Sequence, residues 1–136
     1  MYRLILPAML LVASSAALSS DKGYEAREAA ANKVRLDDAL AGLVPGKPQQ
    51  CVETRFTEGT QRIGDTILYG SSRRMLYRVD TSGGCRLDDD DIIVTKVFGS
   101  QLCGGDLIQT VSRVGRFQTG SCTFREVIPY RRAPKP

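Results

Sequence analysis

Four cysteines, Cys51, Cys85, Cys103 and Cys122, scattered through a run of short alternating segments, constrain this chain more than any other feature. No two of them form a C-x-x-C pair, so the paired knuckles of a zinc ribbon and the dithiol of a thioredoxin-type redox centre are both absent. Even in number, widely spaced and downstream of an export-like leader, they read as two disulfides stapling one small domain. Three pairings are open, and chain entropy does not choose among them because loop closure gives similar totals for each. Strand order suggests Cys51 with Cys122, closing the sheet, and Cys85 with Cys103, pinning both ends of a central strand.

The leader spans Met1 to Ser20. A single cation, Arg3, precedes the apolar stretch Leu4 to Ala13, and small residues follow, the three-part pattern of a secretory signal. The apolar stretch is shorter than the roughly 20 residues that span a bilayer, and Pro7 breaks it. We therefore expect cleavage after Ala16 or Ser19, no stable membrane span after processing, and a periplasmic or secreted product. What remains is enough for one domain and too little for two.

From residue 21 to 50 the pattern is helical and then linking. Tyr24 to Leu43 is rich in alanine, and Val34, Leu36, Leu40 and Leu43 put a partial apolar stripe on its last turns. Gly42, Pro45, Gly46 and Pro48 end the helix and extend the link. From Cys51 to Pro129 the period becomes two. Expected strands are Val52 to Phe56, Thr66 to Gly70, Met75 to Asp80, Ile92 to Phe98, Leu107 to Val114 and Thr123 to Ile128, with glycine-rich turns between them. The second and third of these read as a hairpin through Ser71, Ser72 and Arg73. The fold class is mainly β: a small antiparallel sheet curled into a barrel or sandwich, with two disulfides and one short N-terminal helix. Residues 130 to 136 read as a basic flexible tail.

The formal charge is +4, but its distribution matters more than its sum. Residues 21 to 50 carry five basic and five acidic groups, and residues 51 to 128 carry ten of each. The surplus sits on Arg3, Arg131, Arg132 and Lys135. A folded nucleic-acid reader concentrates cations on one face of the domain, so no nucleic-acid partner is expected. With no histidine in the chain, Ser-His-Asp and Cys-His mechanisms are unavailable in their usual form. Carboxylates remain for acid–base work: Asp65, Asp80, Asp106 and Glu126 near strand ends, and the run Asp88 to Asp91. For Asp65 and Asp106 after glycine, the plainer reading is turn chemistry. The aspartate run lacks the alternating register of a calcium loop and reads as a solvated guard for the apolar strand that follows. We expect no metal and no cofactor.

Candidate binding residues are Arg73 and Arg74 at the hairpin tip, Arg78 on the strand beside Tyr77, and the loop Gly104, Gly105 and Asp106 beside Cys103. Such arginines would suit an anionic surface, and such a loop is the kind a secreted inhibitor presents.

A further set of residues carries a resemblance. Ala39-Leu40-Ala41-Gly42, Gly46-Lys47-Pro48 before Cys51, Arg55, Asp65-Thr66-Ile67, Tyr77, Cys85, Leu102-Cys103-x-Gly105-Asp106-x-Ile108 and Gly120-Ser121-Cys122-x-Phe124 resemble a family of uncharacterised small exported four-cysteine proteins of Gram-negative, sphingomonad-type bacteria. It covers roughly Leu36 to Pro129. This chain departs from it in having Phe124-Arg125 where Leu-Gly is expected. The resemblance implies export and a disulfide framework, and it carries no activity or ligand. Three expectations follow for function: a non-enzymatic module binding an envelope protein or glycan, a carboxylate-only enzyme acting on envelope glycans, or a structural envelope protein.

Overall fold

The architecture is set by one long strand, β9 (Gln118–Arg132), on which nearly every other strand depends. The structure is a computed structural model and describes residues 17–57, 59–72, 75–85, 87 and 90–133. The remaining elements are α1 (Ala17–Ala39), β1 (Leu43–Pro45), β2 (Cys51–Glu53), a 3-10 turn (Thr54–Phe56), β3 (Thr60–Ile63), β4 (Thr66–Ser72), β5 (Met75–Thr81), β6 (Asp91–Thr95), β7 (Gln101–Cys103) and β8 (Leu107–Ser112). The main sheet runs β3-β4-β5-β9-β8-β6, with β1 against the C-terminal part of β9 and every pairing antiparallel. The second sheet is β2 with β7.

The protein is mainly β, an antiparallel sheet curled into a half-barrel with one helix and two disulfides, as the alternation implied. Register shifts at Tyr69/Ser72, Val79/Thr81 and Thr110/Val111 supply the curl, since a bulge bends its strand and increases local twist. Gly70 shows why glycine stands at the first of them. Its φ is +126°, and a Cβ there would lie 2.8 Å from the carbonyl oxygen of Met75.

Alternate residues of the curled sheet point inward. Ile67, Tyr69, Tyr77, Val79, Ile108, Phe124 and Val127 form the buried core, and Val52 and Leu102, register partners of the small sheet, plug its concave face. Each such side chain contributes about 1.5–3 kcal/mol by leaving water.

The disulfides differ from the expected pairing. Cys51 is joined to Cys103 and Cys85 to Cys122, with Cα–Cα distances of 4.0 and 5.2 Å. Cys51 with Cys122 fails because β2 does not join the main sheet at all. It pairs with β7, which sets Cys51 directly opposite Cys103. Cys85 with Cys103 fails because the segment between them is not central: β6 is an edge strand, with Ile92 and Val94 40% and 45% exposed. The two bridges fit an oxidising, extracytoplasmic compartment.

Other boundaries also move. The helix begins earlier than Tyr24 and stops at Ala39, because Leu43, counted on its apolar stripe, turns into β1 opposite Arg132. Only its last turns are partly covered: Asn32 lies over Gly64, where a Cβ would meet its amide at 2.9 Å, and Leu36 faces the sheet. The expected tail starts later than residue 130, since Tyr130, Arg131 and Arg132 continue β9. Phe56 leaves the strand line in the 3-10 turn. Among the described residues no helix is long and apolar enough to cross a membrane. The leader lies almost wholly outside the described residues.

Candidate functional site

The half-barrel leaves a seam between its two edge strands, β3 and β6, and the most enclosed cleft described lies behind it. Its volume is about 250 Å³, and Thr54, Thr57, Thr60, Tyr69, Ile93, Thr95, Val97 and Leu102 line it. The 3-10 turn brings Thr54 and Thr57 to one side, because residues three apart eclipse each other in that geometry. Thr60 follows at the start of β3, opposite Tyr69 of β4. From across the seam β6 sends Ile93 and Thr95 inward, while Ile92 and Val94 point out.

Hydrogen bonds hold the near wall. Thr54 donates its Oγ1 to the Ser100 carbonyl (3.2 Å) and Thr57 donates its Oγ1 to the Thr54 carbonyl (2.6 Å), so each hydroxyl oxygen keeps acceptor capacity toward the cleft. The Tyr69 ring packs 6.2 Å from that of Phe124, and burial pushes its phenol far above the usual range against a smaller opposing pull from Arg62. The lining is therefore hydroxyl and hydrocarbon. Among the described residues it contains no carboxylate, amine or thiol, and its phenol stays protonated well past neutrality.

A side-chain contact crosses the seam. Arg62 of β3 donates its Nη1 to the carbonyl oxygen of Asp91 on β6, at 2.5 Å. The Asp91 carboxylate in turn accepts from Thr119 Oγ1 at 2.5 Å, which anchors the start of β6 to β9.

The residues singled out by sequence fall elsewhere. Arg73, Arg74, Asp88 and Asp89 lie outside the described residues. Arg78 is on the outer face of β5, where its Nε and Nη2 donate to Asp80 at 3.0 and 2.9 Å, and Asp80 also accepts from Thr66. Burial alone would lower the Arg78 pKa, but the hydrogen bonds with Asp80 and Tyr130 outweigh it and leave it raised. Gly104, Gly105 and Asp106 form a pinned corner rather than a presented loop. Gly104 donates to the Gln50 carbonyl, Gly105 to that of Phe124, and Asp106 Oδ2 accepts the Cys103 N–H at 2.7 Å. Asp65 sits with Gly64 in the two-residue turn between β3 and β4. Neither Asp65 nor Asp106 reaches the cleft.

A broader, open groove between α1 and the β3–β4 turn brings Asp65 near Glu25, Glu28 and Lys33, all in contact with solvent. Among the described residues no three potential ligands gather as a metal site would require.

The cleft threonines went unread in sequence because they come from separate segments. The one local cue is the spacing of Thr54, Thr57 and Thr60, three residues apart ahead of a strand. No family model matches the chain, and no match is found among curated proteins or solved structures.

Proposed function

We propose that this protein is an exported, non-enzymatic binding module of the periplasm or cell envelope, whose partner is held in the cleft behind the β3–β6 seam. The observation that carries this reading is the chemistry of the lining. Hydroxyl acceptors on an apolar floor orient an uncharged group, and nothing among those side chains can hold or release a proton near neutral pH. The scattered carboxylates weigh against a glycan hydrolase, which needs two of them facing one substrate. The leader and the two disulfides support export.

The test is a titration of the oxidised protein, produced by periplasmic expression of the full chain, with soluble envelope-glycan fragments and with peptides. The amide resonances of Thr57, Thr60, Ile93 and Thr95 are followed by NMR. Saturable shifts there, lost on Thr95→Arg in a variant that keeps the wild-type amide dispersion, support the reading. Chemical conversion of any titrant, abolished by Asp65→Asn or Asp106→Asn, would establish the rival enzyme instead.

A further inference from the structure

We infer that the occupant of the seam is an extended polypeptide segment, which adds as a strand between β3 and β6 and closes the half-barrel. This rests on the binding-module reading and specifies its partner by chemistry.

Main-chain geometry leads to it. The turn Gly64-Asp65 has two residues, so Ile63 and Thr66 form a hydrogen-bonded pair, and such pairs alternate along the ladder. The bond from the Gly70 N–H to the Gly59 carbonyl keeps that phase. Thr60 and Arg62 therefore turn their own N–H and C=O groups away from β4, toward the seam. On β6, the Asp91 carbonyl faces Arg62 rather than β8. Asp91, Ile93 and Thr95 share that phase and direct their main-chain groups at the same gap.

Two strand edges thus confront each other with their amides and carbonyls aimed across one seam. Among the described residues no backbone hydrogen bond joins them. An edge strand is a template for another strand, and strand addition uses it through main-chain bonds while pockets for alternate side chains supply selectivity. The cleft provides those pockets. Thr60, Ile93 and Thr95, whose main chains face the gap, also line it with their side chains.

The site sets requirements on its ligand. Residues of the incoming strand that point inward are small and uncharged, since among the described residues no charged side chain lines the cleft, and its 250 Å³ holds the volume of about eight liquid waters. Residues that point outward lie beside Ile92 and Val94 and are apolar. The Arg62 side chain spans one end of the seam, so the segment enters from the end marked by Thr60 and Thr95.

A random-peptide phage library panned on the oxidised protein supplies the probe. The recovered peptide is measured by calorimetry alongside forms N-methylated at successive backbone positions. We expect N-methylation in one phase to cost at least about tenfold in affinity and in the other phase to cost little. Thr95→Pro removes an outward amide without touching the β8 ladder, a substitution edge strands accept, and should cause a comparable loss. Equal binding by all N-methylated forms, or no enriched peptide, overturns strand addition. The N-methyl series decides the question even where Thr95→Pro fails to fold. Chitotriose is titrated in parallel. Cleft shifts with it and no enriched peptide would leave the binding module standing and sink the strand, whereas silence from both probes sinks both.

Discussion

Arg62 and Asp91 meet across the open side of the half-barrel, guanidinium to main-chain carbonyl at 2.5 Å, and so tie together two strands that no ladder joins among the described residues. A hydrogen bond from a charged donor contributes about 1.5–3 kcal/mol. Arg62→Leu should therefore cost about 1–2 kcal/mol in urea denaturation, because the leucine keeps part of the packing. Amide exchange should accelerate in Thr60–Ile63 and Asp91–Thr95 more than in β9. Unchanged exchange at the two edges would show that the contact does not hold the seam.

The buried phenol of Tyr69 predicts alkaline sensitivity. Its pKa is raised in the folded protein, so the unfolded chain releases this proton first, near the ordinary value of 10.0. The folded state binds the extra proton in the window above that, and stability falls with rising pH there by up to about 1.4 kcal/mol per unit. Below it the contribution is fully present. Tyr69→Phe should flatten this group's share of the alkaline slope, as read from urea midpoints between neutral and strongly alkaline pH.

Thr81 is 5% exposed and its Oγ1 has no hydrogen-bond partner among the described residues. Such a group is buried at a cost with nothing to offset it. Thr81→Val keeps the shape and removes the hydroxyl, and should raise stability by about 1 kcal/mol. A loss of that size would show that the hydroxyl is satisfied in solution.

In the sequence Asp106 reads both as part of a candidate binding loop and as a turn former. Its carboxylate accepts the Cys103 N–H, so Asp106→Ala should lower stability by about 1–2 kcal/mol while leaving ligand binding in the cleft intact at temperatures where the variant is folded. Loss of binding by a fully folded variant would return that corner to the list of contact surfaces.

A non-reducing proteolytic map should join Cys51 to Cys103 and Cys85 to Cys122. Replacing Cys51 and Cys103 together by alanine should cost about 2–4 kcal/mol in thermal or urea unfolding. A fragment linking Cys51 to Cys122 would undo the two-sheet topology.

Much of the fold was legible because period-two alternation is a local property of a strand. The hairpin of β4 and β5 was read nearly to its ends for this reason, and the helix was read apart from its boundaries. What a strand pairs with is not local. Ile92 to Phe98 was read as central because it is so apolar, yet Ile92 and Val94 face outward from an edge, and hydrophobicity alone does not report which neighbour is missing. β9 was read as one short strand because Gly120-Ser121 and Pro129 look like punctuation, though all three lie within it. Both disulfide assignments inherited these errors of neighbourhood. The cleft was less legible still, since hydroxyls from the 3-10 turn, β3 and β6 converge only after the sheet has curled.

β9 takes β5, β8 and β1 as partners, yet it is delivered among the last residues described. Until Gln118–Arg132 arrives, β5 and β8 have no neighbour between them, and Cys85 has no Cys122 to oxidise with. A chain emerging N-terminus first from a ribosome therefore joins the two halves of its main sheet only once β9 has been made. Its earlier strands lack their central partner until then, and the order of synthesis acts as a timer on folding.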